Sequence, residues 1–472
     1  MKGEEAYPLE WIDEYVVRLR DYVFVREEDC LLIKVPNEAH KLNPSGIRIM
    51  KRLLGGEGIL NLWGSYGSSA RVRRDLYHFF VGLKQVLQGC LNEHDLPEVV
   101  VNRPFALGFN TLPVLSEVAL TYRCNLDCGF CYAGCSCRRD GTKAPAVVPP
   151  AKEMTSAEVR EVLRIIREEA EVPSVSFTGG EPTLRDDLAD LVRYARRELG
   201  LRVNLITNGT LIDGTLAKRL KAAGLNSAQV SLESPDDAVH DALTQVPGAH
   251  RRAVQGIKHL QENGIIVHTN TTINRRNIDS AIAMPAFVRS LGLERFSMNL
   301  VIPVGKSATV PPKVLYSPVP EQGLSLICPG DLNLQYSEIP DLLLRIQEEA
   351  ARCEVEFMWY SPTPICIFNP IQYRLGNKGC AACDGLLSVS PTGDVLPCSS
   401  WPESVGNLLH ERFRDVWDSA RARWMRDKAF APLVCRDCAD LALCQGGCPL
   451  YWEYFGHDEL EKYGASYVAA HC

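Results

Sequence analysis

Val114-Leu-Ser-Glu-Val-Ala-Leu-Thr-Tyr122-Arg-Cys124-Asn-Leu-Asp-Cys128-Gly-Phe-Cys131 joins an apolar run to three closely spaced thiols. Val114 to Tyr122 predicts a β-strand. The first cysteine follows two residues after the strand ends, and the next two come at separations of four and three residues. Three thiolates can hold three irons of a four-iron cubane and leave the fourth iron open to an external ligand. Zinc is the competing reading, but closed zinc sites take four protein ligands, and a Cys-x3-Cys spacing with an aromatic before the last cysteine is unusual for them.

Outward from this loop, residues 112–305 alternate strand and helix patterns. Further strands are predicted at Ser174–Phe177, Arg202–Ile206, Ser227–Leu232, Ile265–Thr272 and Arg295–Ile302. Helices are predicted near 186–199, 213–223, 250–263 and 278–291, after a first one opened by the capping box Thr155-Ser-Ala-Glu158. Six β/α units joined by short connections imply an α/β fold with a parallel sheet, curved or closed into a barrel. Its chemistry belongs at the C-terminal ends of the strands. Five strand ends or following turns carry suggestive residues: Thr178-Gly179-Gly180-Glu181-Pro182, Thr207-Asn208-Gly209, Ser231-Leu-Glu233, Thr272-Ile-Asn274 and Pro303-Val-Gly305.

The three-cysteine loop and these strand ends resemble the radical S-adenosylmethionine (SAM) superfamily. The resemblance implies a partial (β/α)6 TIM-like barrel in which Cys124, Cys128 and Cys131 hold a 4Fe-4S cluster. It further implies that Gly179, Gly180, Glu181 and Pro182 bind the amino group of SAM. Glycines admit close backbone approach, and a carboxylate accepts from an ammonium. Thr207, Asn208, Ser231, Glu233, Thr272, Asn274, Pro303 and Gly305 would line the ribose, carboxylate and adenine, with Phe130 near the adenine. One electron delivered to SAM would release methionine and a 5′-deoxyadenosyl radical. An electron donor such as flavodoxin or ferredoxin is implied.

The chain holds 18 cysteines. Such a number in a reducing compartment points to metal ligation rather than disulfides. Cys30, Cys90, Cys328 and Cys353 are scattered and read as small buried hydrophobes. Near the end, Cys383-x9-Gly393-x4-Cys398 is followed by Cys435-x2-Cys438-x5-Cys444-x3-Cys448, with Cys380 before and Cys472 last. This spacing resembles the SPASM extension of radical SAM enzymes that modify peptides and proteins. The resemblance implies two auxiliary 4Fe-4S clusters, one on Cys380, Cys383, Cys398 and Cys448, the other on Cys435, Cys438, Cys444 and Cys472, three clusters in all. A zinc ribbon pairing Cys435 and Cys438 with Cys444 and Cys448 is the alternative. Cys366 is unmatched, as a competing ligand or a free thiol near substrate, and Cys135 and Cys137 read as local structural residues.

Residues 1–95 form an α+β pattern. Strands are predicted at Tyr15–Leu19, Val23–Arg26 and Leu31–Val35, then an Asn43-capped helix and a second helix along Leu76, Phe80, Leu83 and Leu87. The segment resembles the winged-helix-like element related to the pyrroloquinoline quinone peptide chaperone, which implies docking of a leader peptide by strand addition. Residues 306–365 read as a Pro-rich bridge, and 366–472 as a Cys-rich segment with too little apolar periodicity to fold without metal. A net charge of −7 gives no grip on nucleic acid, no apolar run suits a membrane, and no export signal opens the chain, so a cytoplasmic protein is expected. Together the parts imply a maturase of ribosomally made peptides, with thioether or another crosslink as product. A folded-protein maturase and a small-molecule radical SAM enzyme are the alternatives.

Overall fold

A computed structural model describes residues 7–35, 38–88, 106–135, 152–308 and 332–471. Cys90, Cys137, Cys328 and Cys472 lie outside the described residues. The chain folds as two compact units, residues 1–114 and 115–472.

The first unit carries an antiparallel sheet of β1 (Val23–Arg26), β2 (Leu31–Lys34) and β3 (Glu38–Lys41) in that order, with β3 at an edge. Helices span Trp11–Leu19, Pro44–Leu54, Ile59–Ser65 and Ala70–Gln88. Asn43 caps the second of these by accepting from the Gly46 amide at 2.7 Å, with Pro44 at the first helical position. Tyr15–Leu19, expected as a strand, is helical. Ile12 and Val16 are four apart and buried on one face, and Asp13 and Glu14 sit in the favourable first turn. The run of valines had masked that period. Leu9, Ile12, Met50, Leu62 and Phe80 build one core.

The second unit is built on a ten-stranded sheet. Its central strands are β4 (Leu115–Thr121), β5 (Ser174–Gly179), β6 (Arg202–Thr207), β7 (Ser227–Ser231), β8 (Ile266–Ile273) and β9 (Arg295–Leu300). Each lies parallel to the next in the chain. Val118, Leu120, Val175, Phe177, Val203, Leu205, Val230, Phe296 and Met298 are buried; within a strand they are two apart and share one face, while Asn204, Gln229, His268 and Asn270 on the opposite face are half-buried. The Thr155 capping box forms as expected and opens the helix Ser156–Glu168. One helix, Asp237–Thr244, was not expected; Asp236 caps it by accepting from the Ala238 and Val239 amides.

The sheet extends past the six units at both ends. β10 (Glu356–Trp359) adds parallel to β9, and β11 (Leu386–Val389) adds parallel to β4, followed by antiparallel β12 (Asp394–Leu396) and β13 (Gly406–Asn407). The sheet ends on β10 and β13 and does not close. The Cys-rich segment therefore begins as a strand of the same sheet. It also carries helices at Phe413–Trp417, Ala420–Arg426, Leu433–Arg436, Leu441–Cys444, Pro449–Phe455 and Asp458–His471. Phe413, Trp417, Met425, Leu450, Tyr451 and Trp452 are buried there. The expected lack of apolar periodicity has a cause, since most of these helices are only four to seven residues long and too short to show a period, yet they bury large side chains. No helix among the described residues is long and apolar enough to cross a membrane.

Candidate functional site

The three-cysteine loop leaves the C-terminal end of β4 and is pinned from several directions. The Asp127 and Gly129 amides donate to the carbonyls of Thr244 and Leu243 at the end of the Asp237–Thr244 helix, both at 3.1 Å. The Lys306 amide donates to the Cys131 carbonyl at 3.0 Å, and the Lys306 ammonium pairs with Asp127. A Cβ on Gly305 would stand 2.4 Å from the carbonyl oxygens of Cys131 and Tyr132. Glycine at 305 is thus demanded by how closely the turn after β9 approaches the loop.

The Gly179–Pro182 turn packs against the start of the same loop. The Gly180 amide donates to the Thr121 carbonyl at 2.7 Å and the Glu181 amide to the Arg123 carbonyl at 2.9 Å. Glu181 is fully buried, and its carboxylate ties β5 to β6. Oε1 accepts from the Thr183 amide at 3.1 Å, the Thr183 hydroxyl at 2.6 Å and the Thr207 hydroxyl at 2.7 Å, while among the described residues Oε2 accepts from the Asn208 amide at 2.8 Å. Oε2 keeps a lone pair for a further donor. Burial raises the Glu181 pKa despite these bonds. Asn208 in turn donates to Asn125 Oδ1 at 2.8 Å and reaches the Cys124 sulfur at 4.0 Å. Asn125 and Thr210, joined at 2.8 Å, complete this link between β6 and the cysteine loop. Sequence reading had not singled out Asn125, Thr210, Asp127 or Lys306; their partners lie 85 and 179 residues away, and no local motif marks such pairs.

Glu233 is buried just past β7, accepts from the Thr272 amide at 2.8 Å, and lies near enough to raise the pKa of the Cys128 thiol. Burial pushes the Glu233 carboxyl up to about 8. Asn277, also unforeseen, donates to the carbonyls of Glu233 and Thr272 at 2.8 and 3.0 Å. Asn274 is spent on its own turn, donating to the Thr272 carbonyl and accepting from the Arg276 amide. Ser231, Thr272 and Phe130 are half-buried, and Pro303 is buried. The native state holds a proton on Glu233 that an unfolded chain releases. Apo-protein stability is therefore expected to fall as pH rises from about 4.5 to about 8, then to level off. Urea unfolding of wild type and Glu233→Gln across that window checks this. The difference between the two should carry that slope, and parallel curves would refute the assignment.

Apart from the half-buried Cys30 and Cys353, the described thiols sort into three groups. Cys124, Cys128, Cys131 and the buried Cys135 sense one another's charge, and a Cys131–Cys135 hydrogen bond lowers the first thiol and raises the second. Cys380, Cys383 and Cys398 share one cluster of packed side chains with Ala422 and Met425, and burial raises the Cys398 and Cys448 thiols, with charge on Cys380 adding to both. Two cations stand here: Lys428 Nζ, buried, donates to the Cys380 carbonyl at 2.6 Å and pairs with Asp384 at 3.0 Å, and Arg426 donates to the Cys383 carbonyl at 3.2 Å. Cys435, Cys438 and Cys444 form the third group, and Cys366, unplaced by sequence, joins it. Cys448 thus keeps company with Cys380 and Cys398, which is not the pairing of a zinc ribbon. Among the described residues no three Cys, His, Asp or Glu side chains converge tightly enough for a single metal ion.

Comparison with known proteins agrees with this geometry. Residues 118–283 match the radical SAM superfamily and residues 380–439 the SPASM iron-sulfur cluster-binding domain. The chain is 28% identical over 346 residues to an AdoMet-dependent heme synthase of Methanosarcina barkeri, covering 72% of this chain and 92% of that protein. It is also 28% identical over 350 residues to a PqqA peptide cyclase of Xanthomonas campestris pv. campestris, covering 71% of this chain and 81% of the cyclase. The fold is similar to Streptococcus suis SuiB bound to its precursor peptide SuiA, with a TM-score of 0.61 at 17% identity over 91% of this chain and 95% of SuiB. That likeness leaves out 9% of the chain, less than the length of the first unit, so it reaches into residues 1–114.

Proposed function

We propose that this radical SAM and SPASM enzyme, which binds SAM and iron-sulfur clusters, modifies a ribosomally made precursor peptide. The observation that carries the SAM chemistry is the pinned Cys124–Cys131 loop at the C-terminal end of the sheet, beside the Gly179–Pro182 turn. When bound, a 4Fe-4S cluster on Cys124, Cys128 and Cys131 supplies the electron that splits SAM into methionine and a 5′-deoxyadenosyl radical. The chain's own part is positioning. Carbonyls of the Gly179–Pro182 turn and the spare lone pair of Glu181 receive the amino group of SAM, and Glu181 holds β5 and β6 in register to do so. Thr207, Asn208, Ser231, Glu233, Thr272, Asn274, Pro303, Gly305 and Phe130 wall the rest of the cofactor. Lys428 and Arg426 place positive charge beside the Cys380 group, where a cluster and its thiolates carry net negative charge.

Three clusters are proposed, the two auxiliary ones in residues 366–472, with a flavodoxin or ferredoxin as electron source. Residues 1–95 act as the recognition element and 306–365 as the bridge to the SPASM region. The edge strand β3 is half-exposed and, among the described residues, pairs with β2 alone, so a leader peptide can add there as a fourth strand. Two comparisons support the peptide substrate: similarity to a PqqA peptide cyclase, and fold likeness to SuiB that reaches into the first unit. A thioether or other crosslink is the product. Similarity to heme synthases favours one second reading, a porphyrin-like small molecule.

The test pairs reconstituted protein, SAM and dithionite with synthetic peptides from short reading frames beside the gene, and in a parallel reaction with an iron porphyrin carboxylate. A peptide lighter by two hydrogen atoms, formed with 5′-deoxyadenosine, is the expected product. Change in the porphyrin with every peptide left intact would replace the peptide reading by the second.

A further inference from the structure

We infer that Cys366, supplied from ahead of the SPASM domain, is the fourth thiolate of the second auxiliary cluster, completing the set of Cys435, Cys438 and Cys444. The inference deepens the radical SAM and SPASM reading above and rests on it. The four sulfur-bearing residues line one recess of about 430 Å³, open to solvent and walled mainly by apolar side chains such as Val434, Leu441 and Leu460. Its polar lining residues Asp440 and Tyr467 are hydrogen-bonded to each other, the Tyr467 hydroxyl donating to Asp440 Oδ2 at 2.6 Å. The thiols are therefore the donors best placed for a metal, and soft sulfur donors in an apolar recess suit iron-sulfur chemistry.

Cys366 is held there by its backbone. The amide of Ile365, its neighbour, donates to the Cys444 sulfur at 3.3 Å, a bond that favours the thiolate a cluster requires. A turn fixes the segment, with the Ile367 and Phe368 amides both 3.0 Å from the Pro364 carbonyl and the Thr363 amide 3.0 Å from the Lys378 carbonyl. Pro364 in turn packs on Gly447, where a Cβ would meet the proline ring at 3.0 Å. The segment carrying Cys366 and the Cys444–Cys448 stretch are thus locked together. Resemblance to the SPASM pattern implies Cys472, the last residue, at this fourth position.

The test compares full-length wild type, Cys366→Ala, Cys472→Ala and a Cys435→Ala/Cys438→Ala double variant, each reconstituted anaerobically with iron and sulfide. Iron and zinc are counted and the reduced clusters are followed by electron paramagnetic resonance. Cys366→Ala and the double variant should each fall from about twelve to about eight irons and lose the same resonance, while Cys472→Ala keeps about twelve. Full iron in Cys366→Ala with loss in the double variant would overturn the ligand assignment. Full iron in the double variant would instead overturn the second auxiliary cluster itself, and zinc at this site would do the same. A second measurement needs no variant: iodoacetamide on the native holoprotein should spare Cys366 as it spares Cys435 and label Cys472. Labelling of Cys366 at full iron content would overturn the inference even if Cys366→Ala failed to fold.

Discussion

Replacing Cys124, Cys128 and Cys131 together by alanine is expected to remove about four of about twelve irons and to bring 5′-deoxyadenosine release down to the background of free reductant. The fold should survive the change. The change gives up the bonds from the Leu126 amide and Asn208 to the Cys124 sulfur, but the loop stays pinned through the backbone of Asp127, Gly129 and Cys131 and through the Asp127–Lys306 pair, which need no thiol. The other described thiol groups lie in the Cys-rich segment with their own partners, Cys398 beside Cys380 and Cys448, and Cys435 beside Cys438 and Cys444. Their irons should remain. Metal analysis and chromatography of SAM products on the same preparation check both halves. Release of 5′-deoxyadenosine at the wild-type rate would show that the electron reaches SAM elsewhere.

The second large effect lies in two glycines of the turn proposed to receive the amino group of SAM. A Cβ at Gly179 would stand 2.2 Å from the Thr121 carbonyl oxygen, and the φ of +129° is itself strained for any other residue; at Gly180 a Cβ would stand 2.3 Å from the Arg123 carbonyl oxygen. Both obstacles are backbone, so no rotamer relieves them. Gly179→Ala and Gly180→Ala should each cost about 3 kcal/mol or more, and relief can come only by moving the strand that delivers Cys124. SAM binding should be lost with stability, while Gly214→Ala, where the nearest atom is His259 Nδ1 at 3.8 Å, should stay within about 0.5 kcal/mol of wild type. Thermal melts and equilibrium dialysis with labelled SAM measure the two effects. Wild-type binding by Gly180→Ala would mean that the turn yields where the backbone contacts forbid it.

The six central strands were legible because apolar runs, Gly and Pro punctuation and short connections all pointed the same way, and the structure places each strand within two residues of its expected ends. The Cys124–Cys131 loop was legible because its three cysteines are neighbours in sequence. What stayed hidden was long-range pairing. Asn125 meets Thr210, Asp127 meets Lys306 and Cys366 meets Cys444 across separations that no local pattern records. Strand β11 was missed for a related reason. Its four residues sit in a Gly- and Cys-rich setting, and what makes them a strand is the edge of β4 beside them, with Ser388 donating to the Glu117 carboxylate at 2.7 Å. The helix at Trp11–Leu19 shows the opposite failure, where β-branched valines outweighed a period that only burial of Ile12 and Val16 makes plain.

The most direct measurement is electron paramagnetic resonance of the dithionite-reduced, fully reconstituted protein with and without SAM. One cluster signal should change on SAM addition in the wild type if, as proposed, SAM ligates an open iron held by this loop, and that SAM-responsive signal alone should be missing from the Cys124→Ala/Cys128→Ala/Cys131→Ala variant. A wild-type spectrum indifferent to SAM, or a SAM response that survives in the variant, would contradict a cofactor site on the β4 loop.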